Sequence, residues 1–126
     1  SGRYMLNYKR WHLIGLELPY SVASVGIRGE ATGAATEFRA DVVAVAKRDL
    51  SAGELLDGEG GYTVSGCLRP ALLSVRNGYV PLGLAHQVKL IRSVVKDQAV
   101  TWDDIEIDPT TSAYRLRKEV EAGVAQ

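Results

Sequence analysis

Four side chains in this sequence have the chemistry of an anion-binding site: Lys47, Arg48, His86 and Arg92. Lys47 and Arg48 follow one apolar run of the chain, and Arg92 follows another. Arginine binds carboxylate or phosphate through two parallel hydrogen bonds. If the fold brings the two arginines together, they form an anion site to which Lys47 and His86 can contribute.

A simpler interpretation of Arg48 is a surface ion pair with Asp49 or Glu54. Exposed pairs of this kind contribute little to stability, because water already solvates both charges. The short separation along the chain favours this interpretation over an anion site.

Arg48 and Arg92 occupy matching places in an internal repeat. The aligned pairs are Arg48 with Arg92, Leu50 with Val94, Gly53 with Asp97, Glu54 with Gln98, and Leu56 with Val100. A short repeat typically means that one supersecondary unit is used twice. We therefore predict that residues 44–57 and 88–101 superpose by a near-twofold rotation.

A glycine-rich segment, Gly58-x-Gly60-Gly61, superficially resembles a phosphate-binding loop. The dinucleotide fingerprint requires a third glycine and a following helix. Here Thr63 stands at that third position, and a predicted strand follows. We favour a tight turn in which the glycines adopt positive φ.

The remaining chemically active residues have structural interpretations. His12 and His86 are the only histidines, and no spacing of His, Asp or Glu indicates a metal site. His12 lies in an apolar run, which predicts a packed core or interface residue. Cys67 lies in an alternating strand, which predicts a buried, unreactive thiol. Asp103 and Asp104 are expected in the first turn of a helix, where the dipole favours acids.

The composition limits the function further. The chain has 126 residues, enough for one domain, with 15 basic and 15 acidic side chains. This neutral balance does not favour a nucleic acid partner. The segment at residues 8–12 is basic and aromatic and could stack bases, but a strand end with solvated charges is the simpler interpretation. The single cysteine and the lack of a long apolar run or signal segment predict a cytoplasmic protein.

The local patterns predict a mostly β protein with short peripheral helices (α+β). We predict strands at residues 4–8, 39–46, 62–68, 79–80, 88–92 and 105–107. Residues 42–45 are continuously apolar, which predicts burial on both faces. The linker at residues 30–37 is small and polar.

Helix signals occur at four places. Pro19 suits the first turn of a helix at residues 20–27, closed by Arg28-Gly29. A second helix is expected at residues 70–76, and Thr101 is expected to cap a single turn at residues 102–104. Asp108-Pro109 is expected to open the last helix, with Ala113, Leu116 and Val120 as its apolar stripe.

Residues 44–56, 80–85 and 100–105 together resemble the SAF domain, a β-clip module. The pieces are A-V-A-K-R-D-L-x-A-G-E-x-L, V-P-L-G-L-A and V-x-x-D-D-I. The module occurs in sialic acid synthases, antifreeze-like proteins, altronate dehydratases and flagellar P-ring assembly chaperones. The likeness covers residues 39–108 and implies a β-clip fold with a pseudo-twofold repeat.

The flanks resemble those of homoserine-dehydrogenase-like NAD(P)-dependent oxidoreductases, some of which are similar to deoxyxylulose phosphate reductoisomerase. The pattern His12-Leu13-x-x-Leu16-Glu17-x-Pro19-x-Ser21 carries this likeness, together with the Tyr114-Arg115-Leu116-Arg117 ending. In such proteins a Rossmann domain and a catalytic domain precede the SAF module. Neither is present here, so no catalytic residue can be carried over.

The resemblance implies a non-catalytic C-terminal module with three parts: a flank at residues 1–38, the SAF domain at residues 39–108 and a helix at residues 109–126. The first segment, which begins Ser1-Gly2 and enters a predicted strand at once, suggests a piece of a longer chain. The module would bind no cofactor itself, while the parent would use NAD or NADP. Its partners would be the parent's other domains or further copies, with no nucleic acid and no membrane. The alternatives are a module that binds a sugar acid or another anion, and an accessory subunit of a sugar-acid dehydratase.

Overall fold

A computed structural model describes residue 6 and residues 8–124 of the chain, with the side chain of residue 124 excepted. The chain divides into two compact units, Ser1–Thr36 and Glu37–Gln126. The predicted strand at residues 4–8 lies largely outside the described residues. The described part is a mixed α+β structure with three α-helices and two small sheets.

The first unit is helical. Helix α1 spans Ile14–Ala23 and continues as a π-helical turn over Ser24–Arg28, which ends at Gly29 with φ 67°. The prediction that Pro19 opens the helix is wrong, because Pro19 lies inside α1. The helix begins earlier because the Leu13 carbonyl accepts N–H bonds from Leu16 (2.8 Å) and Glu17 (2.9 Å). Residues 30–37 contain no helix or strand, as predicted.

The second unit contains both sheets. Strand β1 spans Ala40–Ala46 and pairs antiparallel along its whole length with β3, Val64–Pro70. The other sheet has the order β2-β4-β5, and its strands are β2 Leu55–Asp57, β4 His86–Leu90 and β5 Ile105–Glu106. Both pairings in this sheet are antiparallel. The strand predicted at residues 62–68 corresponds to β3, which lies two residues later in the chain. The strand predicted at residues 88–92 corresponds to β4, which lies two residues earlier.

Strand β1 is buried on both faces from Val43 onward, because neighbouring side chains of a strand point to opposite faces. Val43 and Ala44 are fully buried, but Val42 is 46 % exposed. Its register partner on β3, Leu68, is exposed as well. The predicted burial on both faces therefore holds for Val43 and Ala44 and fails at Val42, which a run of apolar letters could not reveal.

One hydrophobic core fills the second unit. It consists of aliphatic side chains from both sheets and the segments between them: Ala44, Ala46, Leu50, Leu56, Val64, Val80, Ala85, Val88, Leu90, Val94, Val100 and Ile105. All of these residues lie within the range that the SAF resemblance covers. The core therefore belongs to the second unit alone.

Residues 44–57 and 88–101 are joined by reciprocal backbone hydrogen bonds. Leu50 and Val94 exchange two bonds, of 2.8 and 2.9 Å. Two further bonds occupy aligned positions: Gly53 N–H donates to the Leu90 carbonyl (2.7 Å), and Asp97 N–H donates to the Ala46 carbonyl (2.9 Å). Each donor has positive φ, 93° at Gly53 and 67° at Asp97.

Side chains also form reciprocal hydrogen bonds between residues 44–57 and residues 88–101. The Asp49 carboxylate accepts the Lys96 N–H (2.8 Å), and the Ser93 hydroxyl accepts the Ala52 N–H (3.3 Å). In the sequence alignment Asp49 matches Ser93 and Ala52 matches Lys96. The two halves therefore exchange the same kind of contact with different chemical groups.

Two short elements have the predicted ends. Helix α2 spans Ala71–Asn77 and stops at Gly78, whose φ of 63° is typical of a helix C-terminus. The turn at Trp102–Asp104 is a 3₁₀-helix. Asp104 accepts hydrogen bonds from the Thr101 N–H (2.9 Å) and the Thr101 hydroxyl (2.6 Å). Thr101 and Asp104 therefore form a capping box, in which Thr101 is the predicted cap and Asp104 is the predicted first-turn acid.

The last helix, α3, spans Ser112–Val124 and begins later than predicted. Asp108 instead forms a turn, in which its carboxylate accepts the N–H (2.8 Å) and hydroxyl (2.7 Å) of Thr110. The predicted apolar stripe is also wrong, because Ala113, Leu116 and Val120 are exposed. The less exposed side chains of α3 are polar or aromatic: Tyr114, Arg117, Lys118 and Glu121.

Candidate functional site

The four predicted anion-binding residues lie in the second unit, and no hydrogen bond joins any two of them in the described part of the chain. Lys47 and Arg48 directly follow β1, His86 begins β4 and Arg92 follows it. The antiparallel pairing of Leu50 with Val94 places the two arginines at opposite ends of the paired segments. The geometry therefore does not build one site around both arginines.

Arg48 forms an ion pair with Glu54. Its Nη2 lies 2.7 Å from Glu54 Oε2, and its Nη1 lies 3.0 Å from the Asp49 carbonyl oxygen. The guanidinium lowers the pKa of the Glu54 carboxyl. This is the surface pair that the sequence favoured, and it occupies the donors that an anion would need.

Arg92 differs from Arg48 in its surroundings. Gln98 stands at the position that matches Glu54, so the second half of the repeat supplies an amide where the first supplies a carboxylate. Arg92 is exposed and makes no hydrogen bond or ion pair within residues 8–124. It remains a predicted anion contact.

Lys47 and the glycine-rich turn are linked. The Lys47 ammonium donates to the Gly61 carbonyl, and the Lys47 N–H donates to the Thr63 carbonyl (2.9 Å). Gly58 and Gly60 have φ of 73° and 78°, as expected for a tight turn. Lys47 is therefore engaged with the turn.

Asp57 occupies the inside of this turn. Its carboxylate accepts the N–H groups of Tyr62 (2.5 Å) and Thr63 (3.0 Å) and also the Thr63 hydroxyl. These bonds, led by the one from the Thr63 hydroxyl, lower the pKa of Asp57 to about 2. A phosphate would need the same N–H groups and would meet a negative charge, so the turn is built around its own carboxylate.

A short 3₁₀-helix spans Leu82–Leu84. His86 lines a cavity of about 310 Å³ that lies between this 3₁₀-helix, the ends of β4 and β5, and the start of α3. Its Nδ1 lies 3.0 Å from the Asp57 carbonyl oxygen. Glu106 and Asp108 also line this cavity, and no Lys or Arg does. His86 therefore faces a cavity, but the cavity is lined by acids.

Two other predictions need correction. His12 is not a packed core residue, because its side chain is exposed and its Nδ1 lies 3.4 Å from Glu17 Oε2. Its alternative role at an interface stays a prediction. Cys67 is only partly buried, and Arg69 Nη1 lies 2.8 Å from its Sγ. The prediction of a buried thiol at Cys67 is therefore wrong.

The first unit carries a large apolar surface, which we call the flank surface. Its members are exposed aliphatic and aromatic residues on α1 and the following turn: Ile14, Leu16, Leu18, Tyr20, Val22, Val25 and Ile27. No residue of α1 is buried. Exposed apolar residues in such numbers on one element are typical of an interaction site.

Sequence reasoning missed a buried polar cluster between β1 and α3. Arg117 donates to both carboxylate oxygens of Asp41, at 3.1 and 2.6 Å, and the Ser74 hydroxyl donates to Asp41 at 2.5 Å. Arg117 also donates to Glu121 at 2.7 Å. The signal that could have found it is Asp41 itself, a charge inside an apolar strand run that requires a buried partner.

The described residues contain neither a group of three His, Cys, Asp or Glu side chains placed to hold a metal ion nor a helix long and apolar enough to cross a membrane. No protein-family model matches the chain, and no curated protein is significantly similar to it in sequence.

Proposed function

We propose that this chain is a non-catalytic SAF-type β-clip module of a homoserine-dehydrogenase-like, NAD(P)-dependent oxidoreductase. In this role it packs against the catalytic part of the enzyme, holds the oligomer together or closes the substrate site. The nicotinamide cofactor is bound by another domain of the parent, and the enzyme works in the cytoplasm.

The reciprocal bonds in the second unit support a β-clip with a pseudo-twofold repeat. A near-twofold relation requires that each bond from one half to the other has a counterpart in the reverse direction. The bonds from Gly53 to Leu90 and from Asp97 to Ala46 satisfy this requirement, as does the exchange between Leu50 and Val94. Asp97 stands where the first half has Gly53, and both residues have positive φ. This agrees with a shared turn shape, because aspartate tolerates positive φ better than most residues.

The flank surface is the observation that carries the functional part of the proposal. A helix of ten residues has marginal stability in water unless tertiary contacts support it. Here α1 exposes Leu16, Leu18 and Tyr20 and buries none of its residues. Packing against a neighbouring domain would both cover these side chains and stabilise the helix.

The coding sequence upstream provides the most direct test of the parentage. The proposal requires the reading frame to continue upstream into a strand, a glycine-rich loop and a helix of the dinucleotide-binding kind. An upstream sequence that lacks such a segment would overturn it. Calorimetric titration of the chain with NAD and with NADP should show no binding, and micromolar affinity for either would contradict the non-catalytic role.

A matched pair of substitutions tests the role of the flank surface in the complete enzyme. Val22→Asp places a charge on the flank surface, where Val22 is 65 % exposed. Val95→Asp places the same charge on the second unit, where Val95 is 57 % exposed. Valine and aspartate have similar helix propensity, so α1 itself is little affected. The proposal predicts that Val22→Asp alone lowers activity or the oligomeric state, whereas equal effects of the two would contradict it.

A further inference from the structure

Strand β3 has an unpaired outer edge. In the part of the chain that the structure describes, β3 pairs with β1 alone. Ala44 of β1 directs its backbone groups away from β3, because its N–H donates to the Val80 carbonyl and its carbonyl accepts the Val100 N–H, both at 2.9 Å. Gly66 stands opposite Ala44 and, by the alternation of an antiparallel pair, directs its own groups outwards. The same alternation directs those of Leu68 outwards.

This edge is accessible over Gly66 and Leu68. Both residues are exposed, and no backbone group of the described residues pairs with their outward groups. The Leu68 carbonyl accepts from Arg69 Nη1 (3.2 Å) and from the Cys67 thiol (3.9 Å), a weak donor that a backbone N–H can replace. Proteins usually protect such an edge with lysine, proline or a bulge, and residues 65–68 contain none of these.

The edge is complementary to an antiparallel copy of itself. When Cys67 faces the partner's Cys67, Gly66 and the partner's Leu68 exchange two hydrogen bonds, and the twofold axis repeats them on its other side. This register places Pro70, which has no N–H, opposite Val64, which is fully buried. An axis through Gly66 would instead require bonds to Val64, which no partner strand can reach.

The side chains fit the same register. Leu68, which is 68 % exposed, would lie over the partner's Gly66. A Cβ at Gly66 would stand 2.7 Å from Val42 Cγ1 and 2.9 Å from Leu82 Cδ2, so two apolar side chains surround this glycine. Each Leu68 would therefore cover apolar surface of the other copy. Arg69 would face the partner's Ser65, so the register opposes no like charges.

We propose that two copies of this chain pair antiparallel through the outer edge of β3, with Cys67 of each copy facing the other across the twofold axis. A second copy is the occupant because one register satisfies the outward groups, the exposed leucine and the charges together. This inference concerns the second unit alone and does not depend on the proposed parentage.

Association of the full chain under reducing conditions tests the pairing. Sedimentation equilibrium should show a monomer–dimer equilibrium at protein concentrations up to about 1 mM. Leu68→Lys places a charge on the edge and should weaken association by at least about tenfold, because symmetry puts the change at two positions. Val95→Lys places the same charge at a site 57 % exposed outside β3 and should have no effect.

Three results would overturn the proposal: a chain that stays monomeric, equal weakening by Leu68→Lys and Val95→Lys, or no weakening by Leu68→Lys. Val22→Asp, on the flank surface, separates this inference from the proposed function. A dimer that Val22→Asp dissociates and Leu68→Lys leaves intact would be assigned to the flank surface and would also contradict pairing through β3.

Oxidation gives a second measurement that does not depend on a substitution. Cys67 is the single cysteine, so any disulfide joins two copies. Facing residues of this kind have Cα atoms about 4.5 Å apart, within the range for a disulfide. Diamide would take two electrons and two protons from the two thiols, and a covalent dimer should form. Leu68→Lys should slow its formation by about tenfold, in proportion to the lost dimer. No covalent dimer, or equal rates in both chains, would contradict the register.

Discussion

The two units of this chain use similar apolar residues in opposite ways. In the second unit, aliphatic side chains from both sheets form one buried core. In the first unit, leucine, isoleucine and valine are just as frequent along α1, yet none of them is buried. Apolar content therefore does not decide burial here. The second unit buries its apolar groups within itself, whereas those of α1 lie exposed.

The contrast extends to polar groups. The second unit contains a buried ion pair, in which Asp41 is 6 % and Arg117 is 10 % exposed. The ion pairs of the first unit, such as that between Arg28 and Glu30, are exposed to water. Low exposure makes an ion pair costly to disrupt, because the remaining charge is left without water or a partner. The predictions below test these differences.

The largest expected effect is the loss of one member of the buried pair. Asp41→Ala leaves the Arg117 guanidinium buried without its main partner. Burial alone raises the pKa of Asp41, but the bonds from Arg117 and Ser74 outweigh it and the pKa is lowered. We expect Asp41→Ala to reduce the free energy of unfolding by about 3–5 kcal/mol, measured by urea denaturation. The double variant Asp41→Asn with Arg117→Met removes both charges and should lose much less, whereas a loss as large as that of Asp41→Ala would contradict the charge argument.

A pair of leucine truncations compares the units directly. Leu56 is fully buried in the core, and Leu16 is 73 % exposed on α1. Leu56→Ala should cost about 2–5 kcal/mol, because it removes buried methyl groups and leaves a cavity. Leu16→Ala in the isolated chain should change the free energy of unfolding by less than about 0.5 kcal/mol. Thermal denaturation followed by circular dichroism measures both, and similar losses would remove the distinction between the units.

A smaller effect is expected from the turn around Asp57. Hydrogen bonds lower the pKa of this carboxyl to about 2, below the value of about 3.9 expected in the unfolded chain. A lowered folded-state pKa means that Asp57 stabilises the fold above about pH 4 and loses this contribution as the pH falls towards 2. The stability difference between the natural protein and Asp57→Asn should therefore shrink over that interval. A difference that stays constant from pH 6 to about 2 would show that the carboxylate charge is not involved.

The smallest effect is expected at Arg48. Its ion pair with Glu54 is exposed, so water replaces the contact when either member is removed. Arg48→Ala and Arg92→Ala should have similar thermal midpoints. The Arg92 side chain serves as the control, because it has no partner among the described residues. A clear excess loss at Arg48, measured at low salt and at high salt, would show that the pair has a structural role.

The sequence predicted the elements whose signals are local. Gly78 ends α2 and Thr101 begins the 3₁₀ turn because glycine conformation and side-chain capping act within a few residues. The superposition of residues 44–57 on residues 88–101 stays a prediction, which the reciprocal hydrogen bonds between them support. Among the predicted site residues, His86 lies beside a cavity.

The errors arise where distant contacts override local signals. The apolar stripe expected at Leu116 and Val120 is exposed because Arg117, on another face of α3, pairs with Asp41, which is far away in the sequence. Val42 is exposed because the core covers its face of β1 only from Ala44 onward. Pro19 was assigned to the start of a helix, but the bonds at Leu13 begin it earlier. None of these causes can be read within a window of a few residues.

The most direct test of the central claim is a deletion of residues 1–28. If the second unit holds its own core and the flank surface serves a partner, the remaining chain should be soluble. It should unfold in one cooperative transition, at a midpoint close to that of the full chain. Calorimetry and near-ultraviolet circular dichroism measure this. A truncated chain that is insoluble or unfolds without cooperativity would show that the flank belongs to the core and would contradict the proposed division of roles.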